Sequence, residues 1–154
     1  MKAALRYLAY RPRSTVEVRR RLRRDRFSSS NIEQVLGRCS ELGYLSDQKF
    51  AEAWIRDRIR LKPCGTMRLR SELMRRGVRT DDIDAAIAEV FEQEQVSDAT
   101  LLEKVAERRW ARLQLSNPTK APAKLFAYLT RRGFAVRAAR EAVRRLSASE
   151  DDHA

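Results

Sequence analysis

The sequence predicts an all-α protein of three tandem three-helix repeats, and three observations carry that prediction. Apolar residues recur at three- and four-residue spacing, and no stretch alternates apolar and polar residues long enough for a strand. Helix-start signatures, prolines and glycines fall between those apolar stripes, where helices begin and stop. The whole apolar pattern then recurs, with Leu22, Leu73 and Leu129 as its anchors at steps of 51 and 56 residues.

The elements follow in order. Leu5, Leu8 and Ala9 begin the first apolar stripe, and Pro12 breaks it. Ser14 followed by Glu17 is a capping box, so a second helix runs from about Thr15 to Arg24 and buries Val18 and Leu22. Ser30 and Glu33 repeat that spacing and open a third helix carrying Ile32, Val35, Leu36 and Cys39, which Gly43 ends. Ser46 or Asp47 starts a fourth, with Phe50, Ala51, Trp54, Ile55 and Ile59 on one face and Pro63 as its stop. Thr80 opens a later helix whose first turn holds Asp81 and Asp82, where carboxylates favour the positive end of the helix dipole.

In the repeat frame, Val18, Leu69 and Leu125 share a column one turn before the leucines, and Phe27, Val78 and Phe134 share one five residues after them. Ile32, Ile83 and Ala139 follow, then Leu36, Ile87 and Val143, then Cys39, Val90 and Leu146. Gly77 and Gly133 occupy the helix-ending position, which favours a left-handed residue without a Cβ. Arg26 takes that place in the first copy, so its helix end must differ or be strained. The copies span residues 1–43, 44–95 and 96–147, with 148–154 an acidic, disordered tail. A unit of about 50 residues has a marginal core alone, so stacked neighbours supply stability and the expected form is an elongated, curved array.

With 33 Lys+Arg against 21 Asp+Glu, the formal charge is +12, which implies affinity for a polyanion. The charge is unevenly distributed: residues 80–103 hold eight acidic side chains and no basic one, between strongly basic flanks. No uncharged run exceeds the seven residues from Leu113 to Thr119, far short of a membrane span, and no secretory signal is expected. Cys39 and Cys64 are separated and form no metal or redox motif, which points to a reducing, cytoplasmic setting without disulfides. His153, the one histidine, sits in the tail and offers no catalytic base, and the Asp81, Asp82 and Asp84 cluster lacks calcium-loop spacing. No enzyme activity and no cofactor are therefore expected.

The basic residues form the binding candidate. Arg19, Arg20, Arg23 and Arg24 lie on the second helix of the first copy. Arg68, Arg70, Arg75 and Arg76 occupy the equivalent helix of the second, and Lys124, Arg131 and Arg132 that of the third. Arg24, Arg75 and Arg131 align in all three copies, and regular stacking makes them a stripe. Arginine presents a planar fork suited to phosphate and carboxylate. No helix gathers the base-reading side chains of a sequence-specific recognition helix, so non-specific or protein-directed contact fits better.

Residues Ala4 to Ser14 with Glu17, the junction Gly43 to Asp47 with Phe50, Ala51, Trp54 and Arg58, and then Gly65, Leu69, Glu72, Leu73 and Arg76 to Val78 resemble the RecX family over residues 3–146. Val18, Arg26 and Ser46 depart from the family's usual leucine, glycine and aspartate. The resemblance implies three tandem three-helix repeats in a cytoplasmic, monomeric modulator of the RecA recombinase filament. It implies mostly inhibition of the recombinase's ATPase, strand exchange and coprotease activity in DNA repair and the SOS response. Single- or double-stranded DNA would be bound weakly and non-specifically, and membranes not at all. A direct, sequence-tolerant nucleic-acid binder or transcriptional regulator is the alternative. Tyr44, Leu45, Phe50 and Trp54 are expected to pack the first two copies together, and Gly43, Gly77 and Gly133 to shape the turns.

Overall fold

The computed structural model describes residues 1–151, so His153 lies outside the described residues. Among the described residues the secondary structure is entirely helical. The helices are α1 Lys2–Leu8, α2 Thr15–Arg24, α3 Ser29–Glu41, α4 Asp47–Leu61, α5 Thr66–Arg75, α6 Thr80–Gln93, α7 Asp98–Ser116, α8 Ala121–Arg131 and α9 Val136–Asp151. A single 3-10 turn, Pro118–Lys120, leads into α8. The helix α9 runs on into the segment set apart above as a tail.

The chain divides into two compact units, one of Met1–Arg56 with Arg70–Val90, the other of Asp57–Leu69 with the residues from Phe91 onward. The first holds a core of Ala4, Val18, Leu22, Ile32, Leu36, Cys39 and Leu45. In the second, α7, α8 and α9 pack on one another around Leu102, Trp110, Leu125, Leu129, Phe134 and Ala139. Two apolar columns of the repeat are buried throughout: Val18, Leu69 and Leu125 are each fully buried, and Leu22, Leu73 and Leu129 are buried as well.

Local chemistry sets the helix ends. Ser14 and Glu17 form the expected capping box on α2. On α3 the cap is Ser28, which accepts from the Asn31 amide, so the start lies two residues before the Ser30 expected from sequence. Three adjacent serines offer the same hydroxyl, and Ser28 is the one with extended backbone. Gly43, Gly77 and Gly133 all have positive φ, and so does Arg26 at 64°. At each of these four ends the following residue's N–H returns to a carbonyl five residues earlier: Phe27 to Leu22, Tyr44 to Cys39, Val78 to Leu73 and Phe134 to Leu129. Arg26 thus keeps the turn and carries the left-handed strain itself.

Two packing expectations need correction. Phe27 is 46% exposed although its equivalents Val78 and Phe134 are buried. Tyr44 is 57% exposed; its amide closes α3, and the chain delivers Leu45, not the tyrosine ring, to the core. Phe50 is buried as expected, with its ring 6.2 Å from that of Trp54. The indole Nε1 of Trp54 donates to Glu72 on α5 at 2.9 Å, so this bond ties α4 to the second helix of its own copy, where the sequence predicts packing between the first two copies. Phe50→Ala is expected to cost about 3–5 kcal/mol, read as a lowered denaturation midpoint; an unmoved midpoint would show that the ring does not hold this core.

Candidate interaction surface

The structure sorts the predicted basic residues into two groups. Arg20, Arg23, Arg24, Arg75, Lys124 and Arg131 are exposed, and their side chains make no hydrogen bond or ion pair among the described residues. The others are committed within the fold. Arg19 pairs with Glu33 at 2.8 Å, and Arg70 with Asp84 at 2.9 Å, joining the second and third helices of their copies at equivalent positions. The hydrogen bond from Arg19 holds the Glu33 carboxyl below its ordinary range and raises the Arg19 guanidinium above its own. Both side chains are open enough to solvent that the pair adds little to stability.

Arg68 donates to the Arg131 carbonyl at 3.1 Å. Arg76 lies 4.0 Å over the Trp54 ring and pairs with Glu17 at 2.9 Å. Arg132 departs most from the sequence expectation. It is only 5% exposed, and one of its terminal nitrogens donates to the carbonyls of Lys62 and Pro63, just past the end of α4. Buried there, its guanidinium is not part of any exposed stripe.

Arg24, Arg75 and Arg131, the three that align in every copy, are the last residues of α2, α5 and α8. One position further, Arg76 and Arg132 turn inward, because consecutive helical residues point about 100° apart. The aligned column is therefore the outward one. Its cations also sit at helix C-termini, where each favours the helix dipole by about 0.3–1 kcal/mol.

Sequence reasoning missed how adjacent copies are joined. In the first unit the Ser14 hydroxyl donates to the Arg76 carbonyl at 2.7 Å, while the Thr15 amide donates to Asp47 at 2.7 Å. In the second, the Gly65 amide donates to the Arg132 carbonyl at 2.8 Å, and the Thr66 amide to Asp98 at 3.0 Å. All four positions correspond in the repeat frame. Each junction thus ties the start of a second helix to the next copy, whose aspartate satisfies the free Thr15 or Thr66 amide. The signal was present in sequence as Asp47 and Asp98, separated by the same 51-residue step as Thr15 and Thr66.

Among the described residues, no group of three or more His, Cys, Asp or Glu side chains could hold a metal ion, and no helix is long and apolar enough to cross a membrane.

Comparison with known proteins gives consistent matches. Residues 1–39 match the family model for the first three-helix domain of RecX, and residues 46–87 that for its second. The chain is 40% identical over 101 residues to the regulatory protein RecX of Prosthecochloris aestuarii, covering 66% of this chain and 67% of that one. It is 32% identical to the protein of the same name from Chlorobium phaeobacteroides, covering 90% and 87%. The crystal structure of RecX from Lactobacillus salivarius superposes with a TM-score of 0.79 at 20% identity, over 96% of this chain and 94% of that one, a likeness of fold.

Proposed function

The chain belongs to the RecX family, and on that premise we propose that it binds the RecA–DNA nucleoprotein filament and restrains it. Restraint means lower recombinase ATPase, strand exchange and coprotease activity, exerted in the cytoplasm by a monomer with no catalytic act of its own. The observation that carries the reading is the outward column Arg24, Arg75 and Arg131, one exposed cation without a partner among the described residues at the end of each copy's second helix. Cations left uncompensated at equivalent sites of a repeat suit a ligand that is itself polyanionic and periodic, as a nucleoprotein filament is.

Salt titration tests the reading against simple DNA binding. Binding is measured to naked single-stranded DNA and to preformed filaments, with recombinase ATPase followed in parallel. Tighter binding to filaments at physiological salt, with falling ATPase, is expected. Equal binding to both, with ATPase unchanged, would replace the proposal with a sequence-tolerant nucleic-acid binder.

A further inference from the structure

The second unit contains a basic cavity that the aligned arginines do not account for. Its volume is about 170 Å³, and Lys62, Lys104, Arg108, Arg109, Arg112 and Arg132 line it, with Tyr128 and apolar side chains but no carboxylate among the described residues. Lys104, Arg108 and Arg112 recur every four residues on α7, so one face of that helix carries like charges on successive turns. Such spacing weakens a helix by itself. None of those three makes a hydrogen bond or ion pair among the described residues. The core contacts of α7 come from other positions, including Leu102, Ala106, Trp110 and Leu113, so packing does not demand this charged face.

Two arginines held within the fold make the cavity a built feature. The Arg109 guanidinium lies 4.6 Å from the centre of the Tyr128 ring, which fixes it as a flat donor. Arg132 is held by the carbonyls of Lys62 and Pro63. The Nε atoms of both arginines are buried and have no hydrogen-bond partner among the described residues, so it is terminal guanidinium nitrogens that can face a ligand in the cavity. Six cations here surround a space with no carboxylate among its described lining residues, a concentration of like charge that a bound anion would relieve.

We propose that this cavity is a phosphate oxyanion site, completed when a phosphate accepts hydrogen bonds from the arginines of α7. Arginine forks match phosphate oxygens in pairs, and a tetrahedral anion can accept from several directions at once. The volume is below the roughly 300 Å³ at which pockets for drug-sized organic ligands begin. It takes one or two phosphoryl groups rather than a whole nucleotide. The phosphate is either free or part of a polynucleotide strand crossing the opening.

The test uses the full chain in chloride buffer at fixed ionic strength, with pyrophosphate as the probe in calorimetric titration. The pocket variant is Arg108→Gln with Arg112→Gln. The control is Arg137→Gln with Arg140→Gln, which removes two exposed charges from α9 outside the cavity. Pyrophosphate is expected to bind the parent and the control alike, and the pocket variant roughly tenfold or more weakly. Circular dichroism checks that both variants keep parental helicity. An oligothymidylate without terminal phosphates identifies the source. If pyrophosphate displaces it and the pocket variant binds it more weakly than the control does, the occupant is a strand phosphate. If neither holds while pyrophosphate still binds, the occupant is a free phosphate. No pyrophosphate binding by the parent, or equal weakening in both variants, overturns the proposal.

Discussion

Reversing Arg24, Arg75 and Arg131 to glutamate together abolishes filament inhibition while leaving helical content at the parental level. Each guanidinium is exposed and unpaired among the described residues, so its removal breaks no hydrogen bond or ion pair there. Surface changes of this kind usually move stability by no more than about 0.5 kcal/mol each. Here a further penalty of about 0.3–1 kcal/mol per site arises, because glutamate at the end of α2, α5 or α8 opposes the helix dipole. The triple glutamine variant removes the charges without that opposition, and it should also fail to inhibit. The measurement is recombinase ATPase on single-stranded DNA, with far-ultraviolet circular dichroism as the check on folding. If both triple variants inhibit normally, the column has no part in filament recognition.

The salt dependence of filament binding then divides the partner's chemistry. Should all three cations meet DNA phosphate, their loss lowers the slope of log affinity against log salt by roughly 2–3, about one per contact. An unchanged slope with weakened binding places them against acidic protein surface, where hydrogen bonding rather than counterion release dominates.

The contrast between neighbouring arginines shows what was legible in the sequence. Apolar spacing located the core columns because burial of Val18, Leu69 and Leu125 depends only on which face of a helix turns inward. The capping box at Ser14 located the start of α2 because its hydrogen bonds are local. The same reasoning grouped Arg131 with Arg132, which are one position apart and lie in different surroundings. What withdraws Arg132 is the carbonyl pair at the end of α4, some 70 residues earlier in the chain. Sequence spacing holds no record of such a partner. Tyr44 failed for a related reason. Its neighbour Leu45 enters the core, and the turn that decides between them is set by backbone hydrogen bonds from residues 43 and 44 back into α3. The basic cavity is not legible in the sequence because its cations come from α7, the loop after α4 and the turn after α8, and look like ordinary solvated faces when read one element at a time.

Gly65→Ala and Gly133→Ala should both be strongly damaging, because the added methyl meets backbone. A Cβ on Gly65 would fall 2.3 Å from the Gly133 carbonyl oxygen and 2.8 Å from the Phe134 nitrogen. One on Gly133 would meet the Arg68 backbone nitrogen at 2.4 Å, and Gly133 also holds a φ of 85°. These obstacles are backbone, so neither can rotate aside. Relief requires separating the start of α5 from the end of α8, which breaks the Gly65 amide to Arg132 carbonyl bond and loosens the Arg132 guanidinium from Lys62 and Pro63. Overpacking of this kind costs about 1–3 kcal/mol, and the left-handed backbone adds roughly 1–2 kcal/mol at Gly133. Gly37 supplies the internal control. It lies exposed within α3, with nothing near its added methyl, so Gly37→Ala should stabilise by about 0.5–1 kcal/mol. Denaturant midpoints should therefore rise for Gly37→Ala and fall for the other two, furthest for Gly133→Ala. A Gly65→Ala midpoint equal to the parent's would mean that α5 and the turn after α8 do not approach so closely, and that the repeated junction is not what joins the second and third copies.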